Sequence, residues 1–315
     1  MQAVKSIHSN LHKRITRLMG NRFEITVSHP ESEYADRCIE AAISEIRRIE
    51  KLLSTFNDTS QTQLVNRMAG VMPVVVDKEM LELVVRSLRI SEITQGAFDI
   101  TYGSLDKKLW NFDQNMTTLP DPATAKQLVQ LINYRNVIVN NNHQTIFLKE
   151  KGMRIGFGGI GKGYAAEKAK QVLLQMGIET GIVNASGDLS AWGNQPNGEA
   201  WTIGIANPDA KDHPFSSIKI TNVAVATSGN YEKYAIIDGK KYSHTIDPKT
   251  GYPVTGIKSV TIISPNAEIA DALATPVMVM GVATGLHMID QLPNISCIII
   301  DDNNKLHKSK NINLS

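Results

Sequence analysis

The sequence predicts an α+β fold, on three observations. Helical apolar periodicity is concentrated in the first half of the chain, short strand-like segments dominate the second half, and no serial βα alternation is present. With 315 residues the chain has room for about two domain-sized cores.

Taken in order, a polar lead precedes Arg22 to Val27, which alternates as a strand does. Tyr34 to Phe56 carries Cys38, Ile39, Ala42, Ile43, Ile46, Ile49, Leu52, Leu53 and Phe56 at helical spacing, so a long helix packed on a core is expected. A second helix spans about Lys78 to Thr94, with Met80, Leu81, Val84, Val85 and Leu88 on one stripe. Gly96 caps its C-terminal end. Pro120-Asp121-Pro122 marks a turn before a short helix around Thr124 to Ile132. Strands near Val137 and Ile146 form a hairpin turned by Asn140-Asn141-Asn142. A short strand and a Gly-rich segment then open a helix from about Lys162 to Met176, capped by Gly177. Seven short strands follow: Gly181 to Ala185, Trp201 to Ala206, Ser217 to Ile220, Val223 to Thr227, Tyr234 to Ile237, Val260 to Ser264 and Ser296 to Ile300. Glu268 to Met280 and Thr284 to Gln291 are helical by pattern.

Composition removes several classes of function. A formal net charge of +2, with scattered basic residues, gives no basis for nucleic-acid or anionic-membrane binding. The cluster Lys305 to Lys310 lies in an Asn-rich tail that reads as a frayed terminus. Cys38 and Cys297 have no CxxC partner, so zinc, haem attachment and thioredoxin-like chemistry lack support; two buried reduced thiols are expected. No stretch approaches a membrane span, and Met1 to Leu18 contains no signal-peptide core or lipid-anchor Cys. The expectation is a cytoplasmic protein as written, and a periplasmic one if a leader has been removed.

Three distant segments read as one site. Gly156-Phe157-Gly158-Gly159-Ile160-Gly161-Lys162-Gly163-Tyr164 can lay backbone against an anion at a helix N-terminus. It satisfies GxGxxG but lacks the acidic residue that holds a ribose, and it begins a P-loop but has Gly163 where Ser or Thr should ligate magnesium. A tight strand-to-helix turn accounts for it equally well when it stands alone. Asp271 and Thr275, four apart on an apolar helix, share a face. A carboxylate and a hydroxyl suit magnesium, and a buried Asp without a partner is costly. His244 adjoins the turn Asp247-Pro248-Lys249-Thr250-Gly251, which can hold a general base in place. Thr227-Ser228-Gly229 offers hydroxyls or amides to phosphate, or forms an ordinary turn.

These segments occur in order with Leu53-Ser54-Thr55-Phe56, Gly96-Ala97-Phe98-Asp99-Ile100-Thr101, Ala226-Thr227-Ser228-Gly229, Ser243-His244-Thr245-Ile246-Asp247-Pro248 and Ala270-Asp271. Together they resemble the ApbE family of FAD:protein FMN transferases, with a likeness running from Met19-Gly20 to about the last strand. The resemblance implies two α+β lobes of mixed or antiparallel sheet with packed helices and the flavin nucleotide in the cleft between them. Residues 1–18 would be a poorly ordered lead, 19–306 one catalytic unit and 307–315 a polar tail. It implies a magnesium-dependent transfer of FMN from FAD, the substrate, to a Ser or Thr hydroxyl of an acceptor flavoprotein, with release of AMP. Metal ligands carry over to Asp271, Thr275 and the carbonyl of Gly159. Nucleotide contacts carry over to Met19, Phe56, Ala97, Phe98, Asp99, Lys162, Thr227, Ser228 and His244, and His244 is also the base.

The chain departs from the family pattern at Asn21, where Thr is common, at Phe56, which lacks a hydroxyl, and at Gly156, where many relatives carry Asp. The usual lipoprotein leader is missing. Competing readings are an FAD pyrophosphatase yielding FMN and AMP, a non-catalytic FAD-binding protein, and a nicotinamide-dependent oxidoreductase resting on GxGxxG alone.

Overall fold

The computed structural model describes residues 10–105, 118–205, 216–230, 234–237, 240–243 and 245–312. Strand β1 (Asn10–Leu18) pairs antiparallel with β2 (Asn21–His29) along its whole length. The expected disordered lead is therefore a strand from Asn10 onward. Its alternation is hidden in sequence because Leu11 and Ile15 share a face with Lys13 and Arg17, and ion pairs to β2 and the helix after it support it: Lys13 with Glu24, and Arg14 with Asp36 and Glu40. The connecting turn places Met19 at φ 50° and Gly20 at φ 72°, the twist-matched geometry of a two-residue hairpin.

Phe23, Ile25 and Val27 project from one face of β2 and are fully buried. Burial of each such side chain is worth about 1.5–3 kcal/mol. They meet α1 (Ser32–Leu53), whose buried stripe from Ala35 to Leu53 matches the periodicity expected. The chain continues through α2 (Gln61–Arg67), β3 (Val74–Val75) and α3 (Lys78–Ile93). Gly96, at φ 82°, ends α3 by donating its N–H to Ser91 O at 2.8 Å. Next come α4 (Pro122–Leu128), β4 (Val137–Asn140) and β5 (Thr145–Leu148), and β3, β5 and β4 form a three-stranded sheet.

Residues 153–157 form no strand before α5 (Gly161–Gln175), so the strand-then-helix context of a dinucleotide fold is absent. The chain then forms β6 (Gly181–Ala185), β7 (Asp188–Trp192), β8 (Trp201–Ile205), β9 (Ser216–Ile220) and β10 (Ala224–Gly229). β11 (Tyr234–Ile237), β12 (Lys240–Ser243) and β13 (Ile257–Ser264) precede α6 (Ala267–Met280) and α7 (Val282–Ile289). β14 (Ser296–Asp301) and β15 (Leu306–Lys308) close the chain. The tail expected to fray is ordered through residue 312: β15 pairs with β14, Ser309 Oγ accepts from Cys297 N at 2.9 Å, and Ile312 is buried.

One eight-stranded sheet runs β1-β2-β6-β7-β10-β13-β14-β15, antiparallel at every step, so the fold is α+β. α1, α5 and α6 cover one face, and the β8–β9 hairpin covers part of the other through Trp201, Ile205, Ile218 and Ile220. Arg48 on α1 and Tyr164 on α5 both bond Glu79 on α3, and Arg86 on α3 clasps Glu268 on α6 through two hydrogen bonds. A smaller core joins α4, β11 and Ile246. Among the described residues no helix is long and apolar enough to cross a membrane.

The register sets the site. Phe23 faces Ala185, so the turn at Met19-Gly20 and the turn at Ser186-Gly187 lie side by side at one end of the sheet. The N-terminus of α5 sits at that end, where a Cβ on Gly161 would lie 3.7 Å from Met19 Cε.

Candidate active site

A cavity of about 810 Å³ opens between the two cores. Its wall is made by Thr55 and Phe56 after α1, residues 97–99 and 102–105 after α3, residues 154–159 before α5, Thr245, Ile246 and Pro248, and Thr275 of α6. Five stretches far apart in sequence converge here. Phe56, Ala97, Phe98, Asp99, Gly159 and Thr275 are all in the lining. Phe56 is 93% exposed. An aromatic side chain left in water at a cavity rim is available to stack on a planar ligand.

Asp99 is engaged within the protein. One oxygen accepts from Thr101 N at 2.8 Å and Thr101 Oγ1 at 2.6 Å, and the other accepts from Tyr134 N at 2.9 Å. Burial pushes its carboxyl up, and these donors oppose the shift. Its carboxylate ties the wall loop to residues 133–135, which fixes where Phe98 and Ala97 stand.

Helix α5 begins beneath this wall. Lys162, in its first turn, forms an ion pair with Asp188 at the start of β7, and Asp188 is 3% exposed. Lys162 does not line the cavity; its ammonium neutralises a buried carboxylate beside the helix N-terminus. Gly163 explains the break in the P-loop pattern. A Cβ there would lie 2.1 Å from Ala267 O and 2.7 Å from Asp271 Cβ, so only glycine lets α5 meet α6 this closely.

That approach lets Gly163 N–H donate to Asp271 Oδ2 at 2.9 Å. Asp271 is 6% exposed, and its other carboxylate oxygen takes no hydrogen bond among the described residues. Thr275, one turn on, reaches the cavity, as does Gly159. No cluster of three or more His, Cys, Asp or Glu groups surrounds a cation position among the described residues. The ligands implied by the resemblance are one oriented carboxylate, Asp271, which does not line the cavity, and a hydroxyl and a carbonyl that belong to lining residues, all hard oxygens. Such a set fits magnesium, which keeps water or phosphate oxygens in its remaining positions.

His244 lies outside the described residues. Its chain neighbours Ser243 and Thr245 are buried, and the following turn is firmly held. Asp247 N–H donates to Tyr252 O at 2.8 Å, Val254 N–H donates to Thr245 O at 2.9 Å, and Tyr252 Oη–H donates to Pro120 O at 2.7 Å. Gly251, at φ 76°, passes so close to α4 that a Cβ would lie 2.1 Å from Ala125 O. Tyr102, in the cavity wall, accepts from Ile246 N–H at 3.3 Å, and burial pushes its phenol up to about 12.

Met19, Thr227 and Ser228 do not line the cavity. Met19 stands in the hairpin turn against Gly161. Thr227 and Ser228 lie inside β10, paired with Thr261 and Val260, and Thr227 Oγ1 is 3.0 Å from Thr261 Oγ1. Because β10 runs antiparallel to β7, they point toward the end of the sheet that carries Asp188.

Four lining or supporting residues were not legible beforehand: Tyr102, Ser104, Arg154 and Asp188. Tyr102 and Ser104 lie just after the motif ending at Thr101 and Arg154 lies two residues before the one starting at Gly156, which is the only signal they give. Asp188 carries none, since its partner is 26 residues away on a helix.

The ApbE family model matches residues 19–299. The chain is 30% identical to a FAD:protein FMN transferase of Klebsiella pneumoniae, covering 91% of this chain and 88% of that one. It is 29% identical to the FAD:protein FMN transferase of Treponema pallidum, covering 92% and 84%. The crystal structure of the ApbE protein from Thermotoga maritima superposes with a TM-score of 0.86 at 31% identity, covering 96% of this chain and 97% of that one.

Proposed function

This chain belongs to the ApbE family, and from that premise we infer how it acts as a FAD:protein FMN transferase, moving FMN from FAD onto another protein. We propose that the dinucleotide lies in the 810 Å³ cavity, that the acceptor is a Ser or Thr hydroxyl of a flavoprotein, and that the product is a phosphoester. The observation carrying this reading is the convergence on one cavity of an exposed aromatic, Phe56, the Gly-rich run 156–159 that leads into α5, and Thr275, one turn beyond Asp271 on α6.

Phe56 and Phe98 offer aromatic surface to the isoalloxazine or adenine ring. The backbone of Gly158 and Gly159, which lines the cavity just before α5, faces the pyrophosphate at the end of the helix where the dipole favours negative charge. Asp271, Thr275 and the carbonyl of Gly159 would hold magnesium. The bound ion supplies neutralisation of the charge that develops on the phosphate oxygens. His244 takes the proton from the attacking hydroxyl, a contribution of typically about a hundred- to ten-thousand-fold in rate. The acceptor oxygen bonds to the FMN phosphorus as the bridging P–O bond breaks. AMP leaves with that electron pair. Tyr102 Oη accepts from the Ile246 amide, two residues beyond His244, and so links the cavity wall to that backbone.

The test is transfer by the His244→Ala and Asp271→Asn variants beside FAD-binding titrations. The reading expects His244→Ala to bind FAD normally and transfer nothing measurable. Transfer at the normal rate would remove His244 from the chemistry.

A further inference from the structure

We propose that Arg154 is a phosphate-binding residue for the dinucleotide, reaching across a floor left bare by Gly156 and Gly158. This rests on the functional reading above.

Three observations converge. First, burial alternates along this run: Met153, Ile155 and Phe157 are buried, whereas Arg154 and Gly158 are exposed and Gly156 is partly so. All of residues 154–159 line the cavity, and within 153–158 the more open positions are 154, 156 and 158. Second, neither glycine is required by the fold. Neither adopts left-handed backbone, a Cβ at Gly156 would meet only Thr55 Cγ2 at 3.7 Å and Gly103 Cα at 3.9 Å, and one at Gly158 would meet nothing within 4 Å. Contrast Gly163, where a side chain is forbidden. Side chains missing where the fold would accept them leave room for a ligand.

Third, the cation is free and its base is fixed. Among the described residues lining the cavity, Arg154 is the one cation, and its guanidinium has no ion-pair or hydrogen-bond partner. Lys162, by contrast, is tied to Asp188. The backbone that carries Arg154 is clamped on every residue. Arg154 N–H donates to Ser104 Oγ at 2.8 Å, Ser104 Oγ–H donates to Arg154 O at 3.1 Å, Asn66 bonds both Ile155 N and Ile155 O, and Gly156 N–H donates to Ile100 O at 3.0 Å. A clamped backbone carrying one exposed, unpaired guanidinium over an open floor is suited to a phosphate, which guanidinium binds through paired donors.

The test uses the full chain with AMP and, separately, FMN, titrated calorimetrically in EDTA so that no divalent ion contributes. Arg154 is exposed, so Arg154→Gln is expected to melt as the wild type does. The expected result is that at least one mononucleotide binds about tenfold more weakly to Arg154→Gln, the loss expected for a charge-assisted hydrogen bond. Arg154→Lys should recover part of it. Which nucleotide weakens identifies the phosphate contacted. Unchanged binding of both nucleotides to Arg154→Gln, with the wild type binding them, would overturn the assignment and leave the transferase reading intact. A wild type that binds AMP, FMN and FAD not at all would overturn the functional reading and this inference with it.

Discussion

Gly163 N–H donates to Asp271 Oδ2 over 2.9 Å, at a crossing of α5 and α6 too tight for any side chain on Gly163. The helix contact and the orientation of the carboxylate are one feature. Oδ2 is held by the backbone and the other oxygen remains available to a cation.

Gly163→Ala tests that coupling. The added methyl has no space against Ala267 O, so the helices must separate at a cost of about 1–3 kcal/mol or more. A lower urea midpoint is expected together with weaker divalent-ion binding. A midpoint and ion affinity both equal to wild type would show that the crossing is slack.

Asp271→Asn separates charge from structure. The amide oxygen can still accept from Gly163 N–H, so the variant should fold and melt like the wild type. Its melting temperature in FAD should no longer rise with added magnesium, and transfer should be lost. An unaltered magnesium response would take Asp271 out of the metal site.

Lys162→Met should destabilise by about 1–3 kcal/mol, less than a fully buried pair because solvent reaches the ammonium. The loss arises because Asp188 is left buried without a counter-charge. Adding Asp188→Leu should recover much of it in urea melts. If the double variant is as unstable as the sum of the single ones, the pair is not what the buried carboxylate depends on.

Glu79 gives a pH-dependent prediction. Arg48 beside it, and then the Tyr164 hydroxyl, hold its carboxyl below the ordinary value of 4.5, against the opposing effect of burial. Its contribution is thus present above that value and lost as pH falls through the depressed one. Glu79→Gln should lower stability at pH 7, and the gap should close in acid. A gap that persists below the carboxylate range would exclude linkage through Glu79.

The long elements were legible because their periodicity is strong. The buried stripe of α1 from Cys38 to Leu53 and the Gly96 cap stand where the spacing places them. The helix ends at Leu53, however, and Phe56, read as the last member of the stripe, is exposed at the cavity rim. β1, β7 and β12 were not, for different reasons. β1 mixes Leu11 and Ile15 with Lys13 and Arg17 on one face; β7 is buried at all five positions and so shows no alternation. β12 (Lys240–Ser243) is a four-residue strand of charged and polar residues, with no apolar pattern to mark it. In the site, short motifs marked Phe56, Phe98, Gly159 and Thr275. Asp188 and Arg154 act through tertiary placement, which no local spacing encodes. Asp99 shows a related limit: its position was legible, but only the folded chain shows its carboxylate committed to Thr101 and Tyr134.

Phe56 and Gly156 separate binding from folding. Phe56→Ala should leave stability within about 0.5 kcal/mol, as for an exposed position, while weakening FAD. Gly156→Val should likewise fold normally and bind FAD less well, because its side chain fills ligand space and meets no close contact. A large fall in melting temperature for either variant would make these residues structural.

The measurement closest to the central claim is incubation of the full chain with FAD, magnesium and a purified acceptor flavoprotein domain, followed by intact-mass analysis and AMP quantification. The account predicts an acceptor heavier by one FMN phosphoester and one AMP released per acceptor modified. Free FMN and AMP beside acceptors that stay unmodified would contradict it.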